Sequence, residues 1–164
     1  MFPTIDEVYA GLQHVQDPEI PVLSVIDLGM ITGVRYDETN TLHIKMIPTY
    51  AACPAVNFIR NKIKEDLAAV LKSNVLIEVH IDKTVNWNSN MLGEEAKEKL
   101  RQFGIAAPRT IDHTREMEFF DGTPCPYCKS ENTVLKTPFG STLCRAIHYC
   151  NNCKQAFEHF KPIV

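Results

Sequence analysis

Four cysteines lie in two matched pairs, CPYC at 125–128 and CNNC at 150–153, with 21 residues between them. Each C-x₂-C can form a tight knuckle that turns both sulfurs toward one ion. Two knuckles give a tetrahedral S₄ site, the usual geometry of structural zinc. Cys125, Cys128, Cys150 and Cys153 are therefore the expected metal ligands, and zinc the expected metal. The same ligands would accept a redox iron, or in an oxidising compartment pair as disulfides. A fully thiolate-ligated zinc has no open position, so this site should fold its segment and do no chemistry.

A fifth cysteine poses a different problem. Cys53, in PTYAACPAVNFIRNKIKEDL, stands about seventy residues from the nearest other cysteine. It directly precedes Pro54 and a helical pattern. Proline suits a first helical turn, so Cys53 is expected at or near the helix N-cap. Free N–H groups and the helix dipole there should lower the thiol pKa and favour a nucleophile or metal ligand. Thr49 is a nearby hydroxyl. Glu19 in DPEIP and Asp27 in VLSVIDLG are the candidate acidic partners. A plain reading keeps Cys53 as an inert half-buried thiol and Asp27 as a turn former. The sixth cysteine, Cys144, lies outside the quartet in an expected strand, where a lone cysteine is usually a small buried apolar residue. The six histidines show no metal spacing, and His43 and His80 should face solvent from their strands.

The surrounding pattern supplies the elements that must position these groups. Thr4-Ile-Asp-Glu7 fits a capping box, followed by apolar residues at helical spacing to Val15. Ile31–Tyr36 and Leu42–Ile47 read as a hairpin around Asp37-Glu-Thr-Asn40. Ala55–Leu71 is an amphipathic helix, Val75–Ile81 a third strand and Met91–Phe103 a shorter helix ended by Gly104. The order α-β-β-α-β-α predicts an α+β domain over 1–104, a small α/β layer with a mixed sheet. The strand after the second helix joins the hairpin by a crossover. Residues 105–120 should be a linker. Residues 121–164 should be a zinc ribbon, with TVLKT and CRAIHYC as strands, too poor in apolar surface to fold without metal.

Composition excludes several classes. The 164 residues are 45% apolar and 23% charged with net charge −3, so no global basic field draws nucleic acid. The charge divides as −4 over 1–104 (10 basic, 14 acidic) and +2 over 121–164 (5 basic, 3 acidic), too weak a stripe for a nucleic-acid ribbon. No apolar run reaches the roughly 20 residues of a membrane span, and no signal peptide is visible. A cytoplasmic protein with reduced thiols is expected.

DPEIPVLSVIDLGMI followed by PTYAACPA resembles the metal–sulfur cluster assembly domain, which includes SufT-like proteins. CPYC…FGSTLCRAIHYCNNC…FEHFK, with NWNSNMLGEEAKEKLRQFGIAAP before it, resembles the PaaD components of bacterial phenylacetyl-CoA epoxidase systems. The resemblance implies a maturation factor without catalytic turnover of its own. It would deliver iron or an iron–sulfur cluster to the reductase or oxygenase component of a di-iron monooxygenase through Cys53. Thr49, Asp27, Glu19 and Cys144 would assist, and the partners would be the other subunits, above all the flavin and [2Fe–2S] reductase. Self-association into a homodimer is a further expectation. Where many members carry Gly before this Cys, the chain has Ala52. The alternatives are a non-catalytic adaptor of the same complex and a Cys53 thiol enzyme.

Overall fold

A computed structural model of the chain describes residues 2–50, 53–110 and 122–163. Ala52 and most of the expected linker lie outside the described residues. The chain forms two compact units, Met1–Trp87 and Asn88–Val164.

In the first unit, helix α1 spans Ile5–Leu12 and begins as expected: Thr4 Oγ1 accepts from Glu7 N–H, and Glu7 returns the bond to Thr4 N–H at 2.7 Å. It stops at Leu12 rather than Val15, because the chain turns there and Val15 is bonded to Val25 instead. Strands β1 (Ile31–Tyr36) and β2 (Leu42–Met46) form the expected antiparallel hairpin. Asp37 closes its turn by accepting from Thr39 and Thr41 N–H and from the Thr39 hydroxyl. Helix α2 (Val56–Leu71) then crosses over to β3 (Ile77–Ile81), which pairs parallel to β2. The sheet order is β1-β2-β3, the expected mixed sheet.

Alternation decides the faces. Leu42, Ile44 and Met46 are buried beneath α1 and α2, together with Ile63 and Leu67 of α2, while His43 and Lys45 point the other way. The helices approach closely because residue 11 is glycine: a Cβ there would stand 2.6 Å from Leu67 Cδ1. Truncating Leu67 to Ala would cost about 2–5 kcal/mol in this packed core. The unit ends at Trp87, 5% exposed, whose indole N–H donates to Leu28 C=O at 2.6 Å.

The second unit holds helix α3 (Glu94–Gln102), strand β4 (Ile105–Ala106) and the ribbon strands β5 (Thr133–Thr137), β6 (Arg145–Cys150) and β7 (Ala156–Phe160). The four-stranded sheet runs β4-β7-β6-β5, with β4 parallel to β7 and the others antiparallel. This divides the chain differently from the expectation. The last helix groups with the ribbon, because Ile105 and Ala106 pair with Glu158 and His159, and Ser89 and Ile163 exchange hydrogen bonds. A two-residue strand has no period, so 105–106 reads as linker from pattern alone. Strand β7 is also absent from the expectation; QAFEHF is short and follows a cysteine knuckle directly.

Candidate functional site

The two knuckles of the second unit are built alike. In each, the residue after the second cysteine is a lysine with left-handed backbone, Lys129 at φ 65° and Lys154 at φ 62°. Its N–H donates to the first cysteine's C=O, at 2.9 Å to Cys125 and 3.0 Å to Cys150. The first cysteine's N–H then reaches the carbonyl one residue beyond the lysine, Ser130 or Gln155. This repeated turn aims four sulfurs inward. Cys125 and Cys150 are fully buried, Cys128 and Cys153 half-buried, and all four Sγ atoms lie within 4.8 Å of one another.

The sulfur separations test the fit. Cys125–Cys153 is 3.7 Å and Cys128–Cys150 is 3.6 Å. A tetrahedron with metal–sulfur bonds near 2.3 Å has edges of about 3.8 Å, so the cluster is the size of a tetrahedral metal site. It is also much of the local core: Cys125 and Cys150 pack with Ala106 and Phe157, and Cys128 and Cys153 against them. Without an ion the thiols are mismatched. The Asn152 amide donating to Cys128 draws that thiol down to about 6, while desolvation and the neighbouring thiols push Cys153 up to about 12. A divalent cation replaces the protons and removes the conflict.

Cys144 takes no part in this cluster. It sits one residue before β6, 8% exposed, with its sulfur 3.1 Å from the Thr142 hydroxyl. That placement is the plain one, a small buried side chain.

Cys53 lies at the mouth of α2, three residues before the first helical residue, Val56. The N-cap is Ala55, not Cys53, and no side chain caps the helix. Pro54 belongs to the turn ahead of it. The N–H groups of Ala55 and Val56 still bond the Cys53 sulfur and favour thiolate, as a helix mouth should. They are outweighed. Burial of the half-exposed thiol, then the charges of Glu19 and Asp17, raise its pKa above the ordinary value. The expected lowering is thus reversed, because the loop shields the sulfur and brings acidic groups to it.

The expected partners separate here. Glu19 does act on Cys53, and Asp17, absent from the expected set, acts beside it. Its signal is the Asp-Pro step: Asp17 Oδ1 accepts from Glu19 and Ile20 N–H at 2.8 Å, the Asx turn that folds this loop. Asp27 is occupied in the next turn. It accepts from Ser24 N–H and Gln13 Nε2, and its own N–H donates to Ser24 Oγ. Gly29, at φ 64°, then lets the chain reverse into β1. Thr49 lies half-buried in the loop after β2, and the Cys53 N–H bonds Tyr50 C=O at 2.9 Å. Tyr50 and Phe58, 36% and 58% exposed, flank the cysteine in sequence.

The histidines depart from expectation. His80 is half exposed, but the His43 side chain is only 15% exposed and is bonded to Asp37 and His80. Among the described residues, no helix is long and apolar enough to cross a membrane.

Comparison with known proteins agrees with this two-part construction. Residues 5–80 match the family described as iron–sulfur cluster assembly protein, and residues 110–161 the PaaD zinc beta ribbon domain. The putative PaaD component of the 1,2-phenylacetyl-CoA epoxidase of Escherichia coli K12 is 34% identical over 98% of this chain and 94% of its own length. An "Fe-S protein maturation auxiliary factor" of Porphyromonas gingivalis is 32% identical over 57% of this chain and 87% of its own. The crystal structure of a "Domain of Unknown Function DUF59" from Bacillus anthracis superposes with TM-score 0.53 at 29% identity, covering 58% of this chain and 89% of that one. From these matches and the four-cysteine cluster, the chain belongs to the PaaD family, an iron–sulfur cluster assembly domain followed by a four-cysteine metal-binding β-ribbon.

Proposed function

We propose that this chain is an accessory factor of a phenylacetyl-CoA epoxidase system. It assists delivery of iron or an iron–sulfur cluster to a partner subunit, the iron–sulfur and flavin reductase in first place, with no turnover of its own. Cys53 is the transient ligand. The observation that carries this is the environment of its sulfur: backbone N–H groups of Ala55 and Val56 on one side, the charges of Asp17 and Glu19 on the other, and partial burial. Such a pocket disfavours a bare thiolate but favours a thiolate paired with a cation, because bound metal displaces the proton and is attracted by both carboxylates. A single protein thiolate is too few ligands to hold iron permanently, so cargo leaves easily. Thr49 stands near Cys53 in the same loop. Asp27 acts indirectly, by holding the loop that carries Glu19.

The ribbon site holds zinc through Cys125, Cys128, Cys150 and Cys153. With four protein thiolates and no open position, the ion supplies folding energy.

The test is metal and sulfide content after anaerobic reconstitution, for wild type and Cys53→Ala, together with cluster content of the reductase matured alongside each. We expect zinc in both proteins, iron and sulfide in the wild type only, and a reductase poor in cluster beside Cys53→Ala. Full maturation beside Cys53→Ala would defeat the carrier reading and leave a docking adaptor, for which exposed Tyr50 and Phe58 offer a surface.

A further inference from the structure

The outer face of the first unit's sheet carries a second cluster of donor atoms. His43 on β2 and Glu78 and His80 on β3 are brought together by the parallel register, in which His43 opposes Glu78 and Lys45 opposes His80. His43 Nδ1 lies 3.0 Å from His80 Nε2 and 3.7 Å from Glu78 Oε2, and His80 Nε2 lies 3.5 Å from the same oxygen. The centre of a triangle with these edges is about 2 Å from each corner, the length of metal–imidazole and metal–carboxylate bonds.

The protonation pattern suits an ion as well. The other ring nitrogen of His43, Nε2, lies 3.0 Å from Asp37 Oδ2. Asp37 is itself fixed in the β1–β2 turn by Thr39 and Thr41, and the bond to His43 together with these holds its carboxyl far below the usual range. A carboxylate there keeps the proton on Nε2 and leaves the Nδ1 lone pair facing His80 and Glu78. This is the carboxylate–histidine–metal arrangement that orients a ligand and raises its basicity. Arg35 and Lys45, register partners of His43 and His80, share this face and oppose a cation; Asp37 and Glu78 set two negative charges against them.

We infer that His43, His80 and Glu78, oriented by Asp37, form a binding site for a divalent first-row transition ion, with three protein donors and an open position. Imidazole and carboxylate together suit Zn²⁺ or Fe²⁺ rather than a hard cation such as Mg²⁺. The site is separate from the cysteine quartet and does not depend on Cys53.

Calorimetric titration of the full chain with ZnCl₂, its ribbon already carrying one zinc, tests this. Wild type and Cys53→Ala should each take one further equivalent. His80→Gln and His43→Gln should weaken that step at least tenfold, and Asp37→Asn about tenfold, the usual cost of losing a carboxylate behind a ligand histidine. His80 is half exposed, so His80→Gln keeps the fold, checked by its circular dichroism. Co²⁺ added to the same protein should give ligand-field bands without the thiolate charge-transfer band of the cysteine site. No further equivalent in the wild type, an unchanged step in His80→Gln, loss of the step in Cys53→Ala or a thiolate band would each overturn the inference. A wild type without that step would leave the His43–His80 contact as an ordinary N–H···N hydrogen bond.

Discussion

The cysteine quartet and the Cys53 loop use one functional group to opposite ends. In the quartet, two near-identical turns bury four sulfurs at the spacing of one ion, and the sulfurs are themselves much of the local core. At Cys53 a single sulfur stands in a loop built from two distant stretches of chain, shielded in part and pressed by carboxylates. The first arrangement completes its ion's coordination and the second leaves it incomplete. What separates a structural metal site from a transient one is thus the number of thiolates converging, more than the reactivity of any one of them.

The largest way to break this contrast is to remove the ribbon's ion. Cys150→Ser, or a strong chelator, should abolish the amide dispersion of residues 122–163 in NMR spectra and leave that of the first unit. Structural zinc contributes on the order of 10 kcal/mol in comparable small domains. A ribbon that stayed folded would mean that its apolar core suffices, and the contrast with Cys53 would lose its basis.

Acid should find the same weakness. Burial, with His148 close by, pulls His159 down to about 3 from an ordinary 6.5. Between those values the unfolded chain binds a proton that the folded chain refuses, so stability falls as pH drops below about 6.5 and is fully present above it. Denaturation midpoints of the zinc-loaded protein across pH 4–7 should follow this slope, and His159→Gln should flatten it.

A smaller effect sharpens the Cys53 side. Glu19→Gln removes one charge that raises the thiol pKa, so the pH profile of iodoacetamide alkylation should shift to lower pH and the rate at pH 7 should rise a few-fold. An unmoved profile would leave burial as the whole cause. Smallest of all, Lys129→Gly and Lys154→Gly relieve left-handed backbone in matched positions. Each should raise the melting temperature slightly, by about 1 kcal/mol or less in stability and by similar amounts. Unequal responses would show that the two knuckles are alike in shape only.

Local chemistry is readable in the sequence and juxtaposition is not. The Thr4 capping box, the Asp37 hairpin, α2 and the cysteine knuckles are each set within a few residues, and pattern alone locates them. The direction of the Cys53 shift depends on how the 17–20 turn folds over the helix mouth, which spacing does not encode. Asp27, conspicuous in an apolar run, is bonded within its own turn. His43 and His80 lie 37 residues apart and meet only through the register of β2 and β3. Alternation does place His43, Glu78 and His80 on one face, and that is the available signal.

The pairing of β4 with β7, with the bonds between Ser89 and Ile163, ties the beginning of the second unit to its end. On a ribosome, residues 88–106 therefore emerge well before the strand that receives them. They must wait through the synthesis of both knuckles, so this unit closes late and in one step, whereas β1 and β2 can pair as soon as they leave the tunnel. Removing residues 156–163 should for the same reason release the 88–106 segment at the opposite end of the unit's sequence.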